Sequence, residues 1–284
     1  MKKVSGNVLL LKEANTNIIR KALKQQQLAT AQQLAEATGL TSVTVNTILQ
    51  QLVRDGEVFE AEKIPSRGGR PAQSYRFNNN FAHAAVIFAH ESGSDDTVFY
   101  RAADLTGNPV FSEQKALPQI QRADFEPLIE RMITQIPTVK AIGFGLPGVE
   151  YGGYLRSDYS ALNGSGFLDH FRTKYGLPVI FENDVNAACL GYCARKQLDR
   201  AATLLYLYFP QKYIPGAAIF IDGKIHKGFR NHAGEIRENT FNIPWTDREF
   251  QQNEARFCKE IAGFITGICA ILSPEKVVLS GSLI

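Results

Sequence analysis

The sequence predicts an α/β protein in two parts: a winged helix-turn-helix over residues 1–80 and a larger α/β body over residues 81–284. Three observations predict it. Apolar residues recur at helical spacing three times before residue 55 and then switch to the short alternating runs of a hairpin. Beyond residue 81 strands and helices interleave, the pattern of an α/β layer structure. The charge divides at the same point: residues 1–80 carry 11 Lys and Arg against 6 Asp and Glu, and the remaining 204 carry 20 against 22. A basic head on a faintly acidic body, summing to +3, points to a polyanion partner for the head alone.

In the head, Ile18, Ile19, Ala22 and Leu23 form a helical stripe after the capping candidates Asn15, Thr16 and Asn17. Thr30 is placed to cap a second short helix with Leu34 and Ala35 inward, and Gly39 ends it. Thr41 or Ser42 then caps a third, which sets Val45, Ile48, Leu49 and Leu52 on one face. Asp55-Gly56 turns the chain into a strand at Glu57–Glu60, answered by Ser74–Phe77 across a loop rich in Gly and Arg. The polar run Asn78-Asn79-Asn80 marks the boundary.

In the body, strands are expected at 84–89, 97–103 and 109–111, with Thr106-Gly107-Asn108 as a turn. A helix at 124–136, strands at 139–145 and 178–181, and a helix at 184–196 follow. Two strands at 203–209 and 217–221, one long helix at 248–272 and a strand at 276–280 complete the pattern. With 44% hydrophobic residues the chain has material for one large or two ordinary cores, and no apolar run approaches a membrane-spanning length. A cytoplasmic protein without membrane association is expected. Cys189, Cys193, Cys258 and Cys269 include no CxxC pair and read as buried reduced thiols.

The head has the pattern of a reader of double-stranded DNA. In a helix-turn-helix the last helix enters the major groove and its outward N-terminal half meets base edges. Here that half offers Ser42, Val43, Thr44, Asn46 and Thr47, and Asn46 suits adenine because an amide can pair with both N6 and N7. Phosphate attraction falls to the hairpin, through Lys63, Arg67, Arg70 and Arg76. The segment Ser66-Arg67-Gly68-Gly69-Arg70-Pro71 carries guanidiniums on a slim extended backbone, which suits a narrow minor groove. A protein-interaction module is the other use of such a head.

The motifs GRPA (69–72), ADLTGN (103–108), FGLPG (144–148), ALNG (161–164), ENDVNAACLGY (182–192), DGKIHKG with HAGEI (222–236) and VVLSGS (277–282) occur in an order and spacing that resembles the ROK family of repressors and sugar kinases, specifically its transcriptional-repressor branch. The resemblance implies an actin-like (ASKHA, ribonuclease H-like) two-lobed body with a sugar cleft between the lobes. It also implies a small carbohydrate effector, an operator on double-stranded DNA and a homodimer or homotetramer. The end of the chain soon after Ser280-Gly281-Ser282 implies a shortened C-terminal lobe.

For the cleft, Asn183-Asp184 lies between an apolar strand and a helix start, where polar side chains project outward. A carboxylate there can accept hydrogen bonds from two adjacent sugar hydroxyls, although both residues also suit an N-cap. Asn163, in a Gly-flanked loop, and Glu235, after His232-Ala233-Gly234, could add contacts. By resemblance, Asp184 stands where the family's kinases keep their general base and the Asn and Glu positions hold the sugar.

The kinase machinery departs from the family pattern. The Asp-x-Gly-Gly-Thr phosphate loop is replaced by His90-Glu91-Ser92-Gly93-Ser94-Asp95-Asp96, and the second, Gly-Thr-Gly, by Tyr213-Ile214-Pro215-Gly216. Acidic groups repel a triphosphate, and a proline has no N–H to offer it. Phosphoryl transfer rests on positioning and charge neutralisation, so no catalytic residue and no cofactor is expected. The family's zinc-binding cysteine cluster is missing, Arg237 stands where relatives have histidine, and no metal site is expected. The sequence therefore reads as a sugar-responsive repressor. Its rivals are a sugar kinase with an accessory head, and a regulator governed by a partner protein with a vestigial cleft.

Overall fold

The computed structural model describes residues 4–66, 69–92, 95–199, 201–236 and 241–284. Arg67 and Arg237, and Gly93-Ser94 of the first loop, lie outside the described residues, as does the side chain of Arg70. The chain divides into two compact units. One comprises residues 1–83 with 103–110, the other 84–102 with 111–284.

The first unit contains α1 (Val4–Gln26), β1 (Leu28–Thr30), α2 (Ala31–Thr38), α3 (Ser42–Arg54), β2 (Val58–Ser66) and β3 (Gly69–Phe77). The helix α1 starts well before the caps expected at residues 15–17, which lie inside it. Thr16 makes this possible by turning its hydroxyl back onto the Lys12 carbonyl, 2.8 Å away, instead of capping a new start. Thr30 caps α2 as expected: its side chain accepts from Gln33 N while Gln33 Oε1 accepts from Thr30 N at 2.8 Å. Gly39 closes α2 at φ +70°, where an L side chain is strained. Thr41, not Ser42, caps α3. Ile19, Leu23, Leu34, Val45, Leu49 and Leu52 are at most 1% exposed and form the core.

The hairpin strands are longer than expected, and β1 adds a third strand with the order β1-β3-β2, all antiparallel. Sequence periodicity missed β1 because three residues carry no period. Asn78, expected as a break, is a hydrogen-bonded corner, with Nδ2 donating to Gly56 O at 2.8 Å and its amide to Glu57 O at 2.9 Å.

The second unit carries two sheets. The first has the order β11-β7-β4-β5-β6, from β4 (His83–Ser92), β5 (Asp95–Ala103), β6 (Pro109–Leu117), β7 (Val139–Leu146) and β11 (Val179–Asn183). Helices α4 (Glu126–Gln135) and α5 (Phe167–Tyr175) pack on it around Phe125, Phe144 and Phe171, each at most 2% exposed. The second has the order β14-β13-β12-β15, from β12 (Leu204–Tyr208), β13 (Gly216–Ile221), β14 (Lys224–Ile225) and β15 (Lys276–Ser280). A small sheet of β8 (Val149–Tyr151), β9 (Tyr154–Arg156) and β10 (Gly164–Ser165) was not foreseen. Helix α6 (Asp184–Lys196) has the expected bounds.

The long helix expected at 248–272 is two helices, α7 (Arg248–Gln252) and α8 (Glu254–Leu272). Asn253 leaves the helical region at φ −86°, ψ 84° and caps α8 through its side chain, which overrides the continuous apolar pattern. Around Trp245, 1% exposed, Phe209, Phe250 and Phe264 complete a second core. Cys189 and Cys193 are buried, and burial pushes the Cys189 thiol up to about 12, but Cys258 is exposed, contrary to expectation, because α8 turns that position outward. Among the described residues no helix is long and apolar enough to cross a membrane.

Candidate functional site

The cleft of the second unit is built where strand ends meet a helix start. Residue for residue, β11 runs parallel to β7, so Asn183 lies beside Leu146 at the end of both strands. Asn183 is the N-cap of α6, its Oδ1 accepting from Val185 N at 2.9 Å and Asn186 N at 3.1 Å. Capping therefore falls on Asn183, and Asp184, the first helical residue, lines the cleft while its carboxyl also accepts from Val185 N. The Asn183 amide reaches on to Gly148 O at 3.2 Å and to Glu235 Oε1 at 3.4 Å.

Glu235 comes from the loop before the second core. Gly234 lets that loop lie against β13: at φ +89° it accepts from Ala217 N at 3.0 Å, and a Cβ on it would sit 1.8 Å from Ala217 O. Glu235 then bridges Gly216. Asn183, Asp184 and Glu235 thus share one cleft of about 400 Å³, with Asp158, Tyr159 and Arg156 on its wall.

Asn163 is not on that wall. It lines a separate depression with Gln121 and Glu126, and its Oδ1 accepts from Ser157 N at 2.5 Å. Through that bond it braces the loop that carries Asp158 and Tyr159. Neither of those two was singled out from the sequence; the signal available was the Ser-Asp-Tyr run just ahead of ALNG, polar residues in a loop between two motifs.

The electrostatics are acidic. Burial pushes the Asp184 carboxyl up to about 7; the hydrogen bond from Val185 N opposes this, and the charges of Asp158 and Glu235 reinforce it. Burial also raises Asp158, against the pull of Arg156. Tyr159 is 6% exposed, its phenol is held well above the usual range by burial and then by Asp96, and its hydroxyl has no hydrogen-bond partner.

The two segments read from the sequence in place of phosphate loops touch each other. Asp96, 4% exposed on β5, accepts from the Tyr213 hydroxyl at 2.8 and 3.0 Å and from Lys212 Nζ at 3.0 Å. Tyr213, Ile214, Pro215 and Gly216 all face the cleft. Among the described residues no cluster of three or more His, Cys, Asp or Glu side chains could hold a metal ion.

In the first unit, Ser42, Val43, Asn46 and Thr47 are exposed on α3 and Thr44 is half-buried. The Thr47 hydroxyl bonds to Val43 O at 2.9 Å and that of Thr44 to Thr41 Oγ1 at 2.9 Å. Lys63 and Arg76 are exposed on β2 and β3.

Mixed sheets flanked by helices make this an α/β body whose structural neighbours include ROK family proteins. The structure is similar to that of a ROK family transcriptional regulator, a homologue of the E. coli MLC protein, at a TM-score of 0.61 and 18% identity, covering 79% of this chain and 58% of that one. It is also similar to the ROK hexokinase of Thermus thermophilus, at 0.53 and 17%, covering 70% and 82%. The ROK family model matches residues 112–242 of this chain. The xylose repressor of Caldicellulosiruptor bescii is 25% identical over 84% of this chain, and the regulator NagC of Escherichia coli 22% identical over 81%. The chain spans 61% of the length of the former and 58% of the latter.

Proposed function

We propose that the protein is a sugar-responsive transcriptional repressor, with a winged helix-turn-helix at residues 1–80 that reads duplex DNA and a body at 81–284 that binds a small carbohydrate. The observation that carries the reading is the pairing of two features in one chain. One is a helix, α3, with a short, polar, exposed face beside a basic hairpin. The other is a cleft in which Asn183, Asp184 and Glu235 converge. The names of the relatives, xylose repressor and NagC, support the same reading.

Ser42, Val43, Asn46 and Thr47 meet base edges in this reading, with Thr44 at the margin, and Arg67 and Arg70 serve the minor groove and phosphates. Asn46 makes no side-chain hydrogen bond to any described residue, which leaves its amide for a base. The protein acts as a cytoplasmic homodimer or homotetramer, as the twofold symmetry of operators favours. In the cleft, Asp184 and Glu235 accept sugar hydroxyls, Asn183 donates by giving up its 3.4 Å bond to Glu235, and Asn163 braces the adjoining loop.

Kinase chemistry is lost in this reading. The Asp96 carboxylate is held by Tyr213 and Lys212, and Pro215 offers no N–H to a phosphate. Regulation requires only that the sugar prefer one arrangement of the DNA-bound assembly.

The test is a footprint on candidate operators with and without a sugar panel, alongside an ADP-release assay with ATP. Sugar-dependent change in protection without ADP release supports the proposal, and sustained sugar-dependent ADP release refutes it. Asn46→Ala should cost roughly 1–3 kcal/mol at one base pair. Arg70→Ala should weaken binding to all sequences and reduce the salt slope by about one unit. Unchanged affinity in both variants would remove the groove assignment.

A further inference from the structure

The charge of the cleft and one orphaned hydroxyl narrow the ligand's chemistry. Among the described residues the wall carries three carboxylates, Asp158, Asp184 and Glu235, and one guanidinium, Arg156, alongside the imidazoles of His90 and His232. Arg237 and Glu238, which follow Ile236 in the sequence, carry opposite charges. Lys212 is paired with Asp96. Even with Asp184 only partly ionised at neutral pH, Asp158 and Glu235 outnumber Arg156, so an arriving phosphate dianion would meet an excess of like charge in a partly desolvated site, where such repulsion is weakly screened.

The second observation is independent of the first. Tyr159 is 6% exposed, it forms part of the cleft wall, and its hydroxyl is buried without a partner. Its ring meets that of Tyr213 edge-on at 6.5 Å. The Tyr213 hydroxyl is spent on Asp96, so the phenol of Tyr159 finds no relief there. Buried hydroxyls are almost always hydrogen-bonded, and an exception needs an explanation. A ligand hydroxyl supplies one: its oxygen accepts the Tyr159 proton, and its own proton goes to the Asp158 or Asp184 carboxylate. Both acids line the same cleft as Tyr159, so one ligand hydroxyl there can accept from the phenol and donate to a carboxylate. An ammonium group satisfies the carboxylates equally well.

We propose that the cleft takes a sugar that is uncharged or carries an amino group, seats one of its hydroxyls on the Tyr159 phenol, and rejects phosphorylated sugars. The proposal rests on the sugar-cleft reading above and specifies the ligand class within it.

The test uses the intact chain, thermal shifts and titration calorimetry. The panel contains free aldohexoses, free aldopentoses, glucosamine, the 6-phosphates of the hexoses and of glucosamine, and the 5-phosphates of the pentoses. At least one free sugar should bind, and its phosphate ester should bind at least tenfold more weakly. Tyr159→Phe should weaken that sugar about tenfold yet raise the melting temperature of the ligand-free protein, because the unpaired hydroxyl is gone. A merely structural tyrosine would move both in one direction. Asp158→Asn should narrow the gap between free and phosphorylated sugar, which a packing defect would not do. Equal or tighter binding of the phosphate ester overturns the proposal and leaves the sugar reading standing, as does an unchanged affinity in Tyr159→Phe. No shift with any sugar of either class overturns both.

Discussion

Gly234→Ala is the sharpest test of how the cleft is assembled. The residue sits at φ +89°, and a Cβ there would lie 1.8 Å from Ala217 O, where ordinary contact begins at 3.4 Å. The left-handed backbone costs an alanine about 1–2 kcal/mol. Relieving the clash requires the loop to retreat from β13, which breaks the 3.0 Å bond from Ala217 N and the bridge from Glu235 to Gly216. Each lost backbone bond adds roughly 0.5–1.5 kcal/mol, for a total of about 2–5 kcal/mol by these magnitudes.

The control is Gly176→Ala, at φ +62° after α5, where nothing lies within 4 Å of the added Cβ. It should lose only the backbone term, about 1–2 kcal/mol. Urea unfolding followed by fluorescence reports on this unit, because Trp245 is the chain's only tryptophan and is 1% exposed. Gly234→Ala should also lose sugar affinity, since Glu235 moves with the loop, while Gly176→Ala should not. Equal destabilisation by the two substitutions, with sugar affinity intact in both, would refute the argument that close approach sets Glu235 in place.

Four further outcomes are expected. Asp184 titrates near 7 in the folded protein against an ordinary value of 3.8. Between those values the native state binds the extra proton, so stability falls as pH rises from about 4 to 7. Asp184→Asn should flatten that segment of the pH–stability curve, and an unchanged slope would show that the carboxyl is not desolvated. Sugar binding through the ionised carboxylate should conversely strengthen as pH rises through 7, a trend calorimetry at several pH values would read. Thr30→Ala removes one half of the α2 capping box and should cost about 1 kcal/mol, measured by denaturation followed through far-ultraviolet dichroism; a loss under a few tenths would mean that Gln33 alone holds the start. Tyr213→Phe removes the phenol from Asp96 and leaves the 3.0 Å bond from Lys212 Nζ; it should cost roughly 1.5–3 kcal/mol, the range for a bond to a charged group, and a neutral result would show that water replaces the phenol.

Much of the architecture was legible because local rules and tertiary packing agree. Thr30, Gly39 and Thr41 act as punctuation through their own side chains or backbone freedom, and α3 buries the face its periodicity marks. The errors fall where a residue had two uses. Thr16 could start a helix or bond backward within one, and only the run of α1 from Val4 decided it. Asn253 sits in an apolar pattern that reads as continuous until its dihedral angles are known. Short strands such as β1 and β10 have too few residues to show a period and exist because a partner strand pairs them.

At the site, the sequence by itself determined the chemistry available: a capping amide next to a carboxylate, a glycine before a glutamate, and an acidic residue and bulky tyrosine in the loops around a cleft. Each follows from residue type and near neighbours alone. The tertiary structure decided which of these side chains meet. It assigned the cap to Asn183 and set Asp184 in the cleft, withdrew Asn163 to a bracing bond, and brought Asp158 and Tyr159 to the wall instead. The reason is physical. Capping and helix periodicity act over a few residues, whereas burial, like-charge repulsion and an unpaired hydroxyl arise only when segments distant in sequence enclose the same volume.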